Sequence, residues 1–166
     1  MRNELTVEYL IIKGYYNDQR AKRSNVFLIN HIEEGLSILD TILGSDLSKK
    51  AFCLHPIVQN NVEHELGLNL TWSEAYPLAC EYRDLANHYL CKLETDWIQT
   101  LDDIKKHFKE KPMSKDCCDM LLADKIQNRK DFRLYHLGKH ERSKELEQYF
   151  DLWIEYLWEL KNAKIH

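Results

Sequence analysis

The sequence predicts a single all-α domain, and three observations carry that expectation. Glycine and proline are scarce, 5 and 3 in 166 residues, so the chain lacks the turn punctuation of an all-β fold. Apolar residues recur at steps of three and four, most clearly Leu146, Tyr149, Phe150, Trp153, Ile154, Leu157 and Trp158 near the C-terminus. Strict alternation of period two extends nowhere beyond four residues.

The elements follow in order. A first helix is predicted over residues 3–16, with Leu5, Tyr9, Ile12 and Tyr16 along one stripe, and residues 17–25 read as a polar basic loop. A second helix runs from Asn30 to Leu43, with Ile32, Leu36, Leu39 and Ile42 at helical spacing, and Gly44 is expected to close it. Asp46 or Ser48 then caps a short apolar helix, Ala51-Phe52-Cys53-Leu54-His55, expected to stop where Pro56 follows. Residues 56–71, rich in Asn, read as irregular chain. From there a long helix is predicted, N-capped by Thr71 or Ser73 with Pro77 near its first turn. Another covers 97–110 and ends at Lys111-Pro112. Ser114 caps a helix to about Tyr135, and Gly138 separates it from the last one. No repeat, low-complexity tract or linker divides residues 1–166.

Composition narrows the function classes. Hydrophobic residues make up 44% and charged residues 30%, the balance of a globular domain. The 23 Lys+Arg against 27 Asp+Glu give a net charge of −4, which disfavours a sequence-independent nucleic-acid binder. No run approaches the roughly 18 apolar residues of a membrane span, and the N-terminus does not read as a secretory signal. Cys53, Cys80, Cys91, Cys117 and Cys118 are odd in number and show no CxxC spacing, which points to reduced core thiols and a cytoplasmic location.

Three stretches carry more chemistry than structural helices need. They are Gln19-Arg20-Ala21-Lys22-Arg23 leading into Phe27-Leu28-Ile29-Asn30-His31; Leu54-His55-Pro56-Ile57-Val58-Gln59-Asn60; and Ala123-Asp124-Lys125-Ile126-Gln127-Asn128-Arg129. Two imidazoles and a carboxylate from three helices would suit a Zn, Mn or Fe ion with open positions. Taken singly, each residue has an ordinary reading: a hydrogen-bonded histidine, an aspartate paired along its helix, a solvated basic loop.

In their order and wording these stretches resemble the hydrolase domain of RelA/SpoT-type alarmone (ppGpp) enzymes, a branch of the HD-domain superfamily. The likeness covers residues 9–60 and 113–136; residues 61–112 match no pattern and read as a helical insert. The resemblance implies an HD-domain-like helical bundle with His31, His55 and Asp124 as three of the ligands to a divalent ion, Mn in the family. It also implies Arg20, Lys22, Arg23, Lys125, Asn128 and Arg129 as a cationic, amide-bearing surface for a phosphorylated ligand, a guanine nucleotide being the family's example.

The departures bear on catalysis. Where the family has the Asp of its His-Asp doublet, this chain has Pro56, and its Glu-Asp pair is Gln59-Asn60. The amides accept hydrogen bonds but cannot act as a base near neutrality. Glu63, His64 or Glu65 is a conceivable replacement ligand, and Glu33 or Glu34 a conceivable base. Three readings follow. The first is a degenerate HD-fold protein that binds a nucleotide or other phosphate-bearing ligand with weak or no hydrolysis, with or without a metal. The second is a metal-dependent phosphohydrolase with a rearranged ligand set. The third is a helical interaction module, for which the four Trp residues (72, 97, 153 and 158) are the motivating feature, with self-association as one form of it.

Overall fold

The computed structural model describes residues 6–90, 101–108, 112–139 and 141–163. They form seven helices: α1 (Val7–Tyr16), α2 (Ile29–Thr41), α3 (Asp46–Gln59), α4 (Tyr76–Leu90), α5 (Leu101–Phe108), α6 (Lys115–Tyr135) and α7 (Ser143–Ala163). Among the described residues there is no β-strand, and a single antiparallel bridge joins Arg20 to Phe27 in the α1–α2 loop. The chain is one all-α domain.

Side-chain oxygens set three of the helix starts, as N-capping requires. Thr6 accepts from the amide of Tyr9, Ser45 from that of Ser48, and Ser114 from that of Cys117. Two of these caps also tie helices together. Ser45 Oγ donates to Asp116 Oδ1 at 2.7 Å, joining the start of α3 to that of α6. The Ser114 amide and hydroxyl donate to the Glu81 carboxylate at 2.7 and 2.8 Å, joining α6 to α4.

α3 and α6 form the centre of the bundle. α3 packs against α1, α2, α4 and α6; α6 packs against α2, α3, α4 and α7. Residues 51–58 of α3 and 117–125 of α6 are buried without interruption, so charged groups within them face protein rather than water. The C-terminal stripe enters this core through Tyr149, Trp153, Ile154 and Leu157, while Trp158 lies on the outer side of α7 and Trp72 is exposed. Trp97 lies outside the described residues, as do Leu5, Cys91 and the expected start of the fifth helix. Cys53, Cys117 and Cys118 are buried free thiols, as the sequence suggested. No helix is long and apolar enough to cross a membrane among the described residues.

Four boundaries differ from expectation, the first being that of α1, which starts at Val7 rather than residue 3 because Thr6 is an extended N-cap. α2 closes through Leu43 at φ 59°, not through Gly44. Gly44 is held small instead, since a Cβ there would stand 2.9 Å from Leu39 Cδ2 and 3.1 Å from Ser48 Oγ. The long fourth helix begins at Tyr76: Thr71 turns back on Asn69, while Ser73 Oγ donates to Glu8 and accepts from the Ala75 amide just ahead of the helix. Most consequentially, α3 does not stop at Pro56 but runs through it to Gln59.

Candidate functional site

Three helices bring His31 (α2), His55 (α3) and Asp124 (α6) together. His31 Nε2 lies 3.3 Å from His55 Nε2 and 3.5 Å from Asp124 Oδ1, and a ligand atom from each residue falls within 4.8 Å of the others. Donors bound at about 2.0–2.1 Å around a tetrahedral ion stand about 3.4 Å apart, so the two distances from His31 match a metal ligand set.

The hydrogen bonds behind the ring nitrogens decide what faces inward. His55 Nδ1 sits 2.6 Å from the carbonyl oxygen of Phe52, which can only accept, so the proton is on Nδ1 and Nε2 is bare. His31 Nδ1 sits 2.6 Å from Gln127 Oε1. The Gln127 amide nitrogen donates to Asp131 at 2.8 Å and to Glu34 at 3.2 Å, so its oxygen must face His31 and accept. Both rings therefore direct their Nδ1 protons outward and turn Nε2 toward each other and toward a carboxylate. Three lone-pair donors converging in this way repel unless a cation, whether a proton or a metal ion, lies among them. Ring nitrogens anchored on their far side by carbonyl or amide oxygens are the usual second layer of a metal site.

Asp124 is 4% exposed and well supported. Its Oδ1 accepts from Asn128 Nδ2 at 2.9 Å, one helical turn on, and Lys125 Nζ stands 3.3 Å from its Oδ2. Burial alone would raise its carboxyl, but Lys125, His31 and His55 outweigh that and hold it below the usual range. Burial likewise opposes the charge on Lys125, and the facing Tyr149 and Asp124 outweigh it. The Lys125 ammonium also lies 5.5 and 5.9 Å from the ring centroids of Trp153 and Tyr149. Burial, reinforced by His31, pushes the His55 imidazole down to about 3, so it stays neutral across the physiological range. The Tyr82 phenol, hydrogen-bonded to Asp124, is held well above its usual value by burial and by that carboxylate.

These groups open onto a cavity of about 360 Å³. Lys125, Asn128, Gln59 and Asn60 line it as the sequence suggested, and Asn60 donates from Nδ2 to the Pro56 carbonyl at 2.7 Å. The other cations expected at the site lie elsewhere. Arg20, Lys22 and Arg23 are outside its wall; Arg20 stacks 3.5 Å over the Phe27 ring and donates to the Asn25 carbonyl. Arg129 turns outward to Asp151 at 2.6 Å. The conceivable replacement acids are also committed or remote. Glu33 accepts from the Tyr9 hydroxyl, Glu34 holds Lys130 and Gln127, and none of Glu63, His64 and Glu65 lines the cavity. Asp124 is the sole carboxylate in the described wall.

Sequence reasoning missed the aromatic share of that wall: Tyr16, Tyr82, Tyr149 and Phe150. Tyr82 lies in the segment that matched no pattern, and Tyr149 and Phe150 belong to a stripe whose spacing signals only core. Gln127 stands three residues after Asp124, a spacing that puts both on one helix face and is the sequence signal for its place behind His31. No protein-family model, curated protein or solved structure matches the chain.

Proposed function

We propose that the cavity binds a small phosphate-bearing ligand of the nucleotide class through a divalent ion held by His31, His55 and Asp124, and hydrolyses it weakly or not at all. The observation that carries this reading is the convergence of two inward-facing imidazole nitrogens and one carboxylate, each anchored from behind.

Electrostatics supports an anionic ligand. The charges of Asp124 and Lys125 cancel, so the full charge of a divalent ion would face whatever enters the cavity. Asn128 and Asn60, beyond their bonds to Asp124 and the Pro56 carbonyl, have remaining amide capacity for a base or sugar, and Tyr16, Tyr82, Tyr149 and Phe150 offer ring faces and edges. Bound there, the ion would supply Lewis-acid polarisation of a phosphoryl oxygen.

The same wall argues against efficient turnover. Its one carboxylate is committed to the ligand set, and no lining acid remains to take a proton from an attacking water. General-base assistance supplies about 10²–10⁴-fold, and that factor is lost. The motif order that resembles the RelA/SpoT-type hydrolase domain points to the same ligand class and the same metal. A working hydrolase is the second reading, favoured by the open side of a three-residue ligand set, which is how catalytic rather than structural sites are built.

Calorimetric titration with guanine and adenine mono- and diphosphates, with and without Mn²⁺, separates the readings, with phosphate release followed in parallel. Metal-dependent binding without multiple turnover supports the proposal. Sustained turnover supports the hydrolase, and metal-independent or absent binding contradicts both.

A further inference from the structure

Pro56 occupies the interior of α3, where proline removes an amide donor and crowds the carbonyl four residues back. That carbonyl belongs to Phe52, and it is the one that takes the His55 Nδ1–H at 2.6 Å. Pro56 thus leaves without an amide partner the oxygen that its neighbour's imidazole uses. In an uninterrupted helix the amide of residue 56 would point at the same oxygen, and its hydrogen would stand beside the imidazole N–H.

We propose that Pro56 is a positioning residue: by withholding its amide from the Phe52 carbonyl, it locks His55 in the Nδ1–H tautomer and aims the bare Nε2 at His31 and Asp124. The inference rests on the metal reading for its functional meaning, but the tautomer itself is a property of the metal-free protein. The surroundings leave the ring little alternative. His55 is 3% exposed, and its ring packs 4.6 Å from that of Phe52 and 4.8 Å from that of Tyr82, centroid to centroid. No other acceptor competes for Nδ1 in the described contacts, so the Phe52 carbonyl decides which nitrogen carries the proton. The residue that removes a carboxylate from the site therefore also prepares the ligand beside it.

The test replaces Pro56 with Ala and, to keep apolar bulk, with Leu. Both restore the amide, and both are expected to raise the melting temperature, since proline is the poorest residue in a helix interior. Long-range ¹H–¹⁵N spectra of metal-free protein read the tautomer, and Zn²⁺ titration reads affinity. The wild type is expected to show His55 wholly as Nδ1–H. The variants, in which the carbonyl is shared with an amide, are expected to populate Nε2–H in part and to bind Zn²⁺ more weakly, by at most the about 10–100-fold that follows outright loss of the partner behind a ligating histidine. Melting and affinity moving in opposite directions would set positioning apart from a structural role. Variants that keep the Nδ1–H form would overturn the proposal, whatever their affinity. If the wild type binds no Zn²⁺, the metal reading fails, while the spectra still decide the role of Pro56.

Discussion

Replacing Gly35 with Ala probes the wall behind the site. Gly35 lies one turn after His31 on α2, and a Cβ there would stand 2.1 Å from Phe52 Cε1 and 2.3 Å from Cζ. Carbon atoms in contact prefer about 3.5–4.0 Å, so the ring or the helix must shift by well over 1 Å. Phe52 is 0% exposed and sits between His31 and His55, at centroid distances of 5.6 and 4.6 Å, so the ring has no solvent to turn into. Overpacking of this kind costs about 1–3 kcal/mol, against a gain of about 0.5–1 kcal/mol from replacing a helical glycine. A 2.1 Å approach calls for the upper part of that cost, about 2–3 kcal/mol, so the net expectation is a loss of about 1–2.5 kcal/mol, or about 2–10 °C in melting temperature for a chain of this size. Gly14 supplies the control: it lies in α1 and a Cβ there would meet nothing within 4 Å. Gly14→Ala should therefore gain about 0.5–1 kcal/mol. Urea unfolding followed by circular dichroism reads both. A Gly35→Ala protein as stable as wild type, or more so, would refute the packing argument.

Other perturbations give signs as definite. Lys161 donates to the fully buried Asp119 at 2.6 Å, so Lys161→Met should cost about 3–5 kcal/mol by stranding a buried charge. Adding Asp119→Leu should recover most of that in the same unfolding assay. Gln127→Met removes the acceptor behind His31 and should weaken Zn²⁺ binding about 10–100-fold by calorimetry. Burial pushes the Cys53 thiol up to about 12, so about 10⁻⁴ of it is thiolate at pH 8. Iodoacetamide mapped by mass spectrometry should label the half-buried Cys80 well before Cys53, and labelling of Cys53 should appear only in denaturant.

Much of the architecture can be read from residue patterns, and the exceptions have physical causes. α6 starts and ends where Ser114 and the turn at Gly138 indicate, because capping and positive φ are local properties. Pro56 misled because the helix-breaking rule counts a lost amide bond, whereas here a side chain from the preceding residue takes the vacated carbonyl. Leu43 in place of Gly44 reflects packing that no local rule contains. The cluster of His31, His55 and Asp124 was visible only through the order of three motifs, since nothing in the spacing of residues 31, 55 and 124 shows that α2, α3 and α6 converge. A count of cations likewise could not show that Arg20 would stack on Phe27 and Arg129 would turn to Asp151.

On the function proposed above, His31, His55 and Asp124 hold a divalent ion. Elemental analysis of untagged protein, purified without chelator and dialysed against Mn²⁺ or Zn²⁺, tests it most directly beside the His31→Ala variant. About one ion per chain in the wild type and none in the variant is the expected result. No ion in either, or equal loading of both, would mean that these three residues are not the metal site.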